Sequence, residues 1–266
     1  MRPIAAMFVW LVYPTSITPN QVTILAVLLG FSAAWTYLLN TPSAIAVAGI
    51  LVMLKDIVDD ADGQLARAKQ MYSRRGRFLD SIGDFLVDIV VFSAVTYVVY
   101  QAYTNSWTIL LGVLSFFGIT LRVSYHVFYQ VSFLHLEDRY KLNRITEEIR
   151  EEDRLGDPVA FRLQQIFIIL YGWQDKLMYN TDAWCRKGRS DKDFLQRWYT
   201  DKFALRLSGL LGFGTEFALL TVCSLFNQLH LYLLLNVFLM NGILLGAIVY
   251  RRAKPEAVSK EKTPSP

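Results

Sequence analysis

Apolar runs broken by short clusters of charge organise most of this chain. Runs of about 20 residues, the length a helix needs to cross roughly 30 Å of hydrocarbon, recur at Gln21 to Leu39, Ala44 to Ala66, Phe78 to Tyr100, Ile109 to Phe133, Phe203 to Phe226 and Leu229 to Tyr250. The pattern predicts an all-α integral membrane protein with six transmembrane helices. Residues 1–16 are apolar as far as Tyr13 and are followed by no small-residue cleavage site, so an interfacial helix is expected there rather than a cleaved leader. The expected organisation is then an interfacial helix over 1–16, four spans over 17–135, a cytosolic helical insertion over 136–202, two spans over 203–252 and a flexible tail over 253–266. That tail is proline-rich and charged and lacks aromatics, a composition that buries too little surface to order itself.

Charge placement sets the orientation. The connections 40–43, 104–107 and 227–230 contain no lysine or arginine, whereas Arg67, Lys69, Arg74, Arg75 and Arg77, the stretch after His135, and Arg251, Arg252 and Lys254 fill the alternate segments. By the positive-inside rule the basic segments face the cytosol. Six spans with both termini cytosolic satisfy every connection at once. Composition agrees, since 53% of the 266 residues are hydrophobic and 14% aromatic, more than a soluble core of this length normally holds. Cys185 and Cys223 have neither disulfide-framework nor metal-ligand spacing. No internal repeat is evident, which disfavours transporters assembled from duplicated halves. Val159 to Tyr179 is apolar but interrupted by charge and is expected to lie on the membrane as a partner or lid helix. Glu147 to Arg154, a run of mixed charge, reads as a solvated helix face.

The second span breaks the apolar pattern. It begins as hydrocarbon and then carries Lys55, Asp56, Asp59, Asp60 and Asp62, charges that cost several kcal/mol each in lipid, of order 3 on insertion scales. Asp59 and Asp62 share a helical face by their spacing of three, and Asp80, Asp84 and Asp88 share one by spacings of four. The short basic turn over 68–77 makes an antiparallel hairpin that brings Asp59, Asp62, Asp80 and Asp84 to one depth at the cytosolic face. Carboxylates so close cannot all stay ionised alone, so a cation is required. Oxygen ligands without nearby histidine or cysteine favour Mg²⁺ or Mn²⁺, less so Ca²⁺. Gly63 and Gly76 would let a ligand approach the backbone, and Arg67 offers a planar fork suited to phosphate. Asp88, one turn deeper, is either a support to the site or polar packing.

Written out, Asp59, Asp62, Gly63, Ala66, Arg67, Gly76, Asp80 and Asp84 follow the spacing DxxDGxxAR…GxxxDxxxD. This resembles the complete signature of the CDP-alcohol phosphotransferases, and Thr18, Pro19, Asn20 and Thr23 resemble the TPNxxT segment that often precedes their first span. The long 136–202 insertion departs from the more compact members. The resemblance implies transfer of a phosphoalcohol, such as phosphatidyl, from a CDP-linked donor such as CDP-diacylglycerol to an acceptor hydroxyl, with release of CMP, in phospholipid biosynthesis. It implies that Asp59, Asp62, Asp80 and Asp84 hold the metal, with Asp84 also the general base, and that Gly63, Ala66, Arg67, Gly76, Asn20 and Thr23 lie near the CDP moiety. Two Mg²⁺ or Mn²⁺ ions are expected.

An aspartate with an ordinary pKa of about 3.9 is a weak base, so the position of Asp84 matters more than its basicity. Arg122 and Arg206 are candidates for a basic pocket that takes an anionic acceptor such as inositol phosphate or glycerol phosphate, the alternative being snorkelling or pairing with Asp88 or Glu216. His126, His135 and His230 stand alone and read as structural. The expected partners are the donor and acceptor, membrane lipids and a second copy of the chain, with no nucleic acid, and the expected site is the cytosolic side of the cytoplasmic membrane. A prenyltransferase, whose two acidic motifs lie on widely separated spans, and a cation-coupled transporter are the rival classes.

Overall fold

Capping side chains set where the helices begin. Gln21 reaches back so that its Oε1 accepts the Thr18 amide at 2.9 Å, Thr41 Oγ1 accepts the Ala44 amide at 3.2 Å, and Ser73 Oγ accepts the Gly76 amide at 3.1 Å. Pro19 and Pro42 then occupy first-turn positions where the missing N–H costs nothing. The structure, a computed structural model, describes residues 2–71, 73–136 and 147–260, and all regular structure among them is helical. In chain order the helices are α1 (Arg2–Val12), α2 (Pro19–Leu38), α3 (Pro42–Ala68), α4 (Arg74–Tyr103), α5 (Ser106–Leu136), α6 (Glu151–Leu155), α7 (Pro158–Cys185), α8 (Lys192–Tyr199), α9 (Lys202–Gly209), α10 (Phe213–Leu225), α11 (Leu229–Leu234), a π-helical stretch (Leu235–Met240) and α12 (Asn241–Lys260). The helix α12 runs past residue 253, where the sequence pattern starts the tail, and residues 261–266 lie outside the described residues.

Four helical runs are long and apolar enough to cross a membrane, Pro19–Leu38, Arg74–Tyr103, Ser106–Leu136 and Leu229–Lys254, and a fifth follows if α9 and α10 are counted as one. The second and fifth expected spans are the ones that differ. Helix α3 has the length, at 27 residues, but its second half carries the charges described above. The fifth is interrupted at residues 210–212, between α9 and α10. At the N-terminus, α1 is too short to span and exposes Ile4, Met7, Trp10 and Leu11, while Ala5 and Val12 are buried. Lys69 Nζ donates to the carbonyls of Thr15 and Ile17, 2.8 Å each, and so ties the segment after α1 to the end of α3.

By contact the chain divides into two units, one of residues 1–117, 149–167 and 213–237, the other of 118–148, 168–212 and 238–266. In the first, α2 packs on α3 and α4, α3 also packs on α1 and α10, and α11 packs on α10 and α4. Small residues permit the closest approaches. A Cβ added at Gly30 would lie 2.4 Å from Val87 Cγ1, so α2 and α4 meet there at a distance only glycine allows. Thr221 Oγ1 donates to the Gly49 carbonyl at 2.8 Å, and Tyr37 and Ser224 share a 2.7 Å hydroxyl pair, which fasten α10 to α3 and α2. Buried Glu216 receives the Tyr232 hydroxyl at 2.7 Å and the Asn236 amide. Residues 149–167 belong to this unit too: Asp153 pairs with Arg74, Gln164 donates to Asp153 at 3.1 Å, and the Phe167 ring lies 5.3 Å from that of Phe78.

The second unit is centred on Asp182, which is wholly buried. It accepts from the Tyr129 hydroxyl at 3.0 Å, Trp198 Nε1 at 2.8 Å, the Tyr199 hydroxyl at 2.8 Å and Arg186 Nε at 2.7 Å. Four donors satisfy a carboxylate that would otherwise be costly to bury. The Arg251 guanidinium caps this network, 3.5 Å above the Tyr129 ring. Burial, helped by the Asp182 charge, pushes the Cys185 thiol up to about 11, so it is an inert thiol at neutral pH.

Candidate active site

The hairpin of α3 and α4 carries the aspartates. Gln70, in the left-handed region at φ 54°, helps turn the chain after α3, and the Ser73 cap starts α4. Spacings of three and four residues then bring Asp59 and Asp62 from α3 against Asp80 from α4. One carboxylate oxygen from each of these three lies within 4.8 Å of the others. Asp62 is buried and its Oδ2 accepts a 2.5 Å hydrogen bond from Thr23 Oγ1 of α2. Asp80 Oδ1 is buried without a hydrogen-bond partner. An orphaned carboxylate oxygen costs free energy unless something positive completes it. Three converging carboxylates, oxygen donors alone and one open buried oxygen fit a hard divalent cation.

Asp84, expected as a fourth ligand, is not one of the three carboxylates that meet within that limit. It is buried, and its Oδ1 accepts from the ammonium of Lys55 on α3. Lys55, 1% exposed, also lies 3.4 Å from Asp59 Oδ2. The stacked rings of Phe213 and Phe217 flank its ammonium, each centroid 5.6 Å from Nζ. From sequence Lys55 reads only as one more costly charge, although its spacing of four from Asp59 puts it on the same helical face. Asp88 is buried one turn deeper on α4, Asp56 is buried with Oδ2 lacking a hydrogen-bond partner, and Asp60 is half-buried.

The other expected site residues of the first unit gather round the hairpin. A Cβ added at Gly76 would meet Asn20 Oδ1 at 2.9 Å, so the segment before the first span lies directly on the signature glycine. Among the described residues, the atoms nearest the place of the missing Gly63 side chain are those of the Arg67 guanidinium, 3.6 Å to the closer nitrogen, and Arg67 is exposed. Ala66, half-buried, is one turn from Gly63 on the same helix. Arg77 lies 5.4 Å over the Phe167 ring, a contact with the insertion that no local spacing signals.

Arg122 and Arg206 belong to the second unit. Arg122 is fully buried and donates to Asn241 Oδ1 at 2.6 Å, whereas Arg206 is exposed on α9, and the described contacts do not join the two. Of the histidines, His230 lies 4.6 Å from the Tyr103 ring, and the place of a Gly212 Cβ is 3.1 Å from the His126 ring.

Comparison with known proteins agrees with this geometry. The family described as CDP-alcohol phosphatidyltransferase matches residues 16–181, more than half of the chain. The chain is 46% identical over 72 residues to the bifunctional IPC transferase and DIPP synthase of Thermococcus kodakarensis, which is 27% of this chain and 16% of that protein. It is 40% identical over 72 residues to the archaetidylinositol phosphate synthase of Pyrococcus horikoshii, 27% of this chain and 37% of that protein. An uncharacterized protein of Aquifex aeolicus is 32% identical over 108 residues, 40% of this chain and 53% of that protein. In each case the match spans little more than half, or less, of the relative's length. The signature residues, the hairpin that assembles them and the extent of the family match lead to one conclusion: the chain belongs to the CDP-alcohol phosphatidyltransferase family.

Proposed function

We propose that the chain is a membrane-embedded phosphotransferase that moves a phosphoalcohol group, phosphatidyl or its archaeal ether analogue, from a CDP-linked donor to an acceptor alcohol with release of CMP. The observation that carries this reading is the gathering of the signature aspartates on one hairpin, Asp59, Asp62 and Asp80 converging within 4.8 Å of one another and Asp84 paired with Lys55, which also contacts Asp59. In this account Asp59, Asp62 and Asp80 hold divalent metal, as one ion or two, and Thr23 keeps Asp62 turned toward it. When bound, such metal neutralises the donor's bridging phosphates and stabilises the leaving CMP. Gly63, Ala66, Arg67, Gly76, Asn20 and Thr23 line the region assigned to the CDP moiety, where Arg67 supplies a fork for phosphate.

Asp84 orients the acceptor hydroxyl and takes its proton late, as the oxygen acquires positive character. The acceptor oxygen bonds to the donor's distal phosphorus, the bond from that phosphorus to CMP breaks, and the electron pair leaves with CMP. No covalent enzyme intermediate is needed. Six spans with both termini and the site on the cytosolic side of the cytoplasmic membrane, and assembly as a homodimer, complete the reading, with α3 crossing despite its charges because they face the hairpin interior. A relative named for synthesis of archaetidylinositol phosphate supports an anionic inositol phosphate acceptor, with glycerol phosphate as the next choice.

The test is purified protein in detergent with Mg²⁺ and a panel of CDP-linked donors and acceptor alcohols. The reading requires CMP and a lipid product in at least one pairing. Release of pyrophosphate instead would point to a prenyltransferase, and cation flux in sealed vesicles without turnover would point to a transporter.

A further inference from the structure

The outward face of α7 is apolar where water would call for polar side chains. Ile169, Trp173 and Leu177 follow one another at spacings of four and Trp184 comes seven later, so the four share one helical face. All four are exposed, Ile169 at 75%. The opposite face is already occupied. Met178 packs in a core cluster with Tyr129 of α5 and Ala247 of α12, and Asp182 carries the buried network described above. The stripe is therefore spare apolar surface on a helix anchored by its other side. Yet α7 is not among the helices long and apolar enough to cross a membrane, and Asp175, Lys176 and Asp182 interrupt it.

Contacts with α12 fix the level at which this stripe lies. The Cys185 thiol donates to the Ile248 carbonyl at 3.8 Å, while the Arg252 guanidinium donates to the Trp184 carbonyl and lies 4.4 Å from the Trp184 ring. Ile248 and Arg252 belong to the end of the apolar run Leu229–Lys254, where it gives way to Arg251, Arg252 and Lys254. Such a change from apolar to basic residues marks the headgroup level of a span, and tryptophan is enriched at that level. Lys176, exposed, lies on the same face as Trp173 and Leu177. Protein interfaces are depleted in lysine, which argues against a second copy covering the stripe. At a lipid surface the lysine stem instead lies along hydrocarbon while its ammonium reaches headgroup phosphate.

We propose that residues 169–184 of α7 form a half-embedded helix, with Ile169, Trp173, Leu177 and Trp184 entering the headgroup and upper acyl region of the bilayer. The connection between the fourth and fifth expected spans is then a membrane-surface element and not a wholly cytosolic one. This assignment draws on the packing of α7 against α12 and is independent of the reaction.

The experiment places a nitroxide label on the full chain in nanodiscs of phosphatidylcholine and phosphatidylglycerol. Ile169→Cys and Leu177→Cys report on the stripe, and Gln196→Cys, exposed on α8, reports on water. Both native cysteines are buried, and wild-type protein treated with the same label sets the background. Power-saturation electron paramagnetic resonance then compares collisions with oxygen, which concentrates in lipid, and with a water-soluble nickel chelate. The ratio of oxygen to nickel accessibility should be several-fold higher at Ile169→Cys and Leu177→Cys than at Gln196→Cys. A nickel chelate that reaches either stripe position as freely as Gln196→Cys would put the stripe in water and overturn the proposal. Exclusion of both reagents would overturn it too, by showing the stripe covered by protein, a second copy included. If one labelled variant does not survive purification, the other decides alone.

Discussion

The hydroxyl of Thr23 donates a 2.5 Å hydrogen bond to Oδ2 of Asp62, joining the first turns of α2 to the first half of the aspartate signature. Two sequence motifs that look separate are thus one structural unit. A donor on one carboxylate oxygen fixes which oxygen remains for metal, and loss of such a support typically costs 10–100-fold in metal affinity. Thr23→Val, which keeps the shape and removes the donor, should therefore weaken Mn²⁺ binding about 10-fold. Electron paramagnetic resonance titration of the purified protein measures this directly, and an unchanged affinity would detach Thr23 from the metal.

Gly76 makes the same junction by contact. Because a Cβ there would meet Asn20 Oδ1 at 2.9 Å, Gly76→Ala must displace Asn20 or the start of α4. The expected outcome is a loss in kcat/KM for the donor of about 10-fold, carried by KM, with Mn²⁺ affinity little changed. Initial rates of CMP release against donor concentration check it. Equal losses in both quantities would place Gly76 in the metal site instead.

Acid stability should report on Asp201, which caps α9 and pairs with Lys254. Burial pushes its carboxyl up, but the Lys254 ammonium and the Phe203 and Ala204 amides more than offset this and hold it below the usual carboxylate range. A depressed folded-state pKa means stability that is present above the unfolded value, about 3.9, and is lost as pH falls through the folded one. Asp201→Asn should lower the unfolding temperature at pH 6 to 7, and the difference from wild type should close in the acid range below about pH 4. A difference constant with pH would assign the effect to capping geometry alone.

Much of the site was legible because helical spacing is local. Asp59 with Asp62, and Asp80 with Asp84, lie on common faces by counting residues, and a short turn between two helices leaves little choice about which faces meet. Asn20 and Thr23 could be placed near the signature only through the family resemblance, since the Thr23 to Asp62 bond joins residues far apart in the chain. Lys55 was visible but uninterpreted: its spacing from Asp59 is local, while its bond to Asp84 and its seat between Phe213 and Phe217 depend on tertiary packing. The Arg74 to Asp153 pair and the Asp182 network are of the same long-range kind, and hydropathy carries no trace of them. Hydropathy also smoothed over the interruption at residues 210–212, because the residues there are apolar or glycine and leave the average high.

The central claim is that the four aspartates do two different jobs. Asp80→Asn and Asp84→Asn, compared side by side for Mn²⁺ affinity and for acceptor-dependent CMP release, test it most directly. The account predicts that Asp80→Asn loses both, whereas Asp84→Asn loses CMP release and still binds Mn²⁺ within about 3-fold of wild type. An Asp84→Asn protein that turns over like wild type, or that loses Mn²⁺ as Asp80→Asn does, would contradict it.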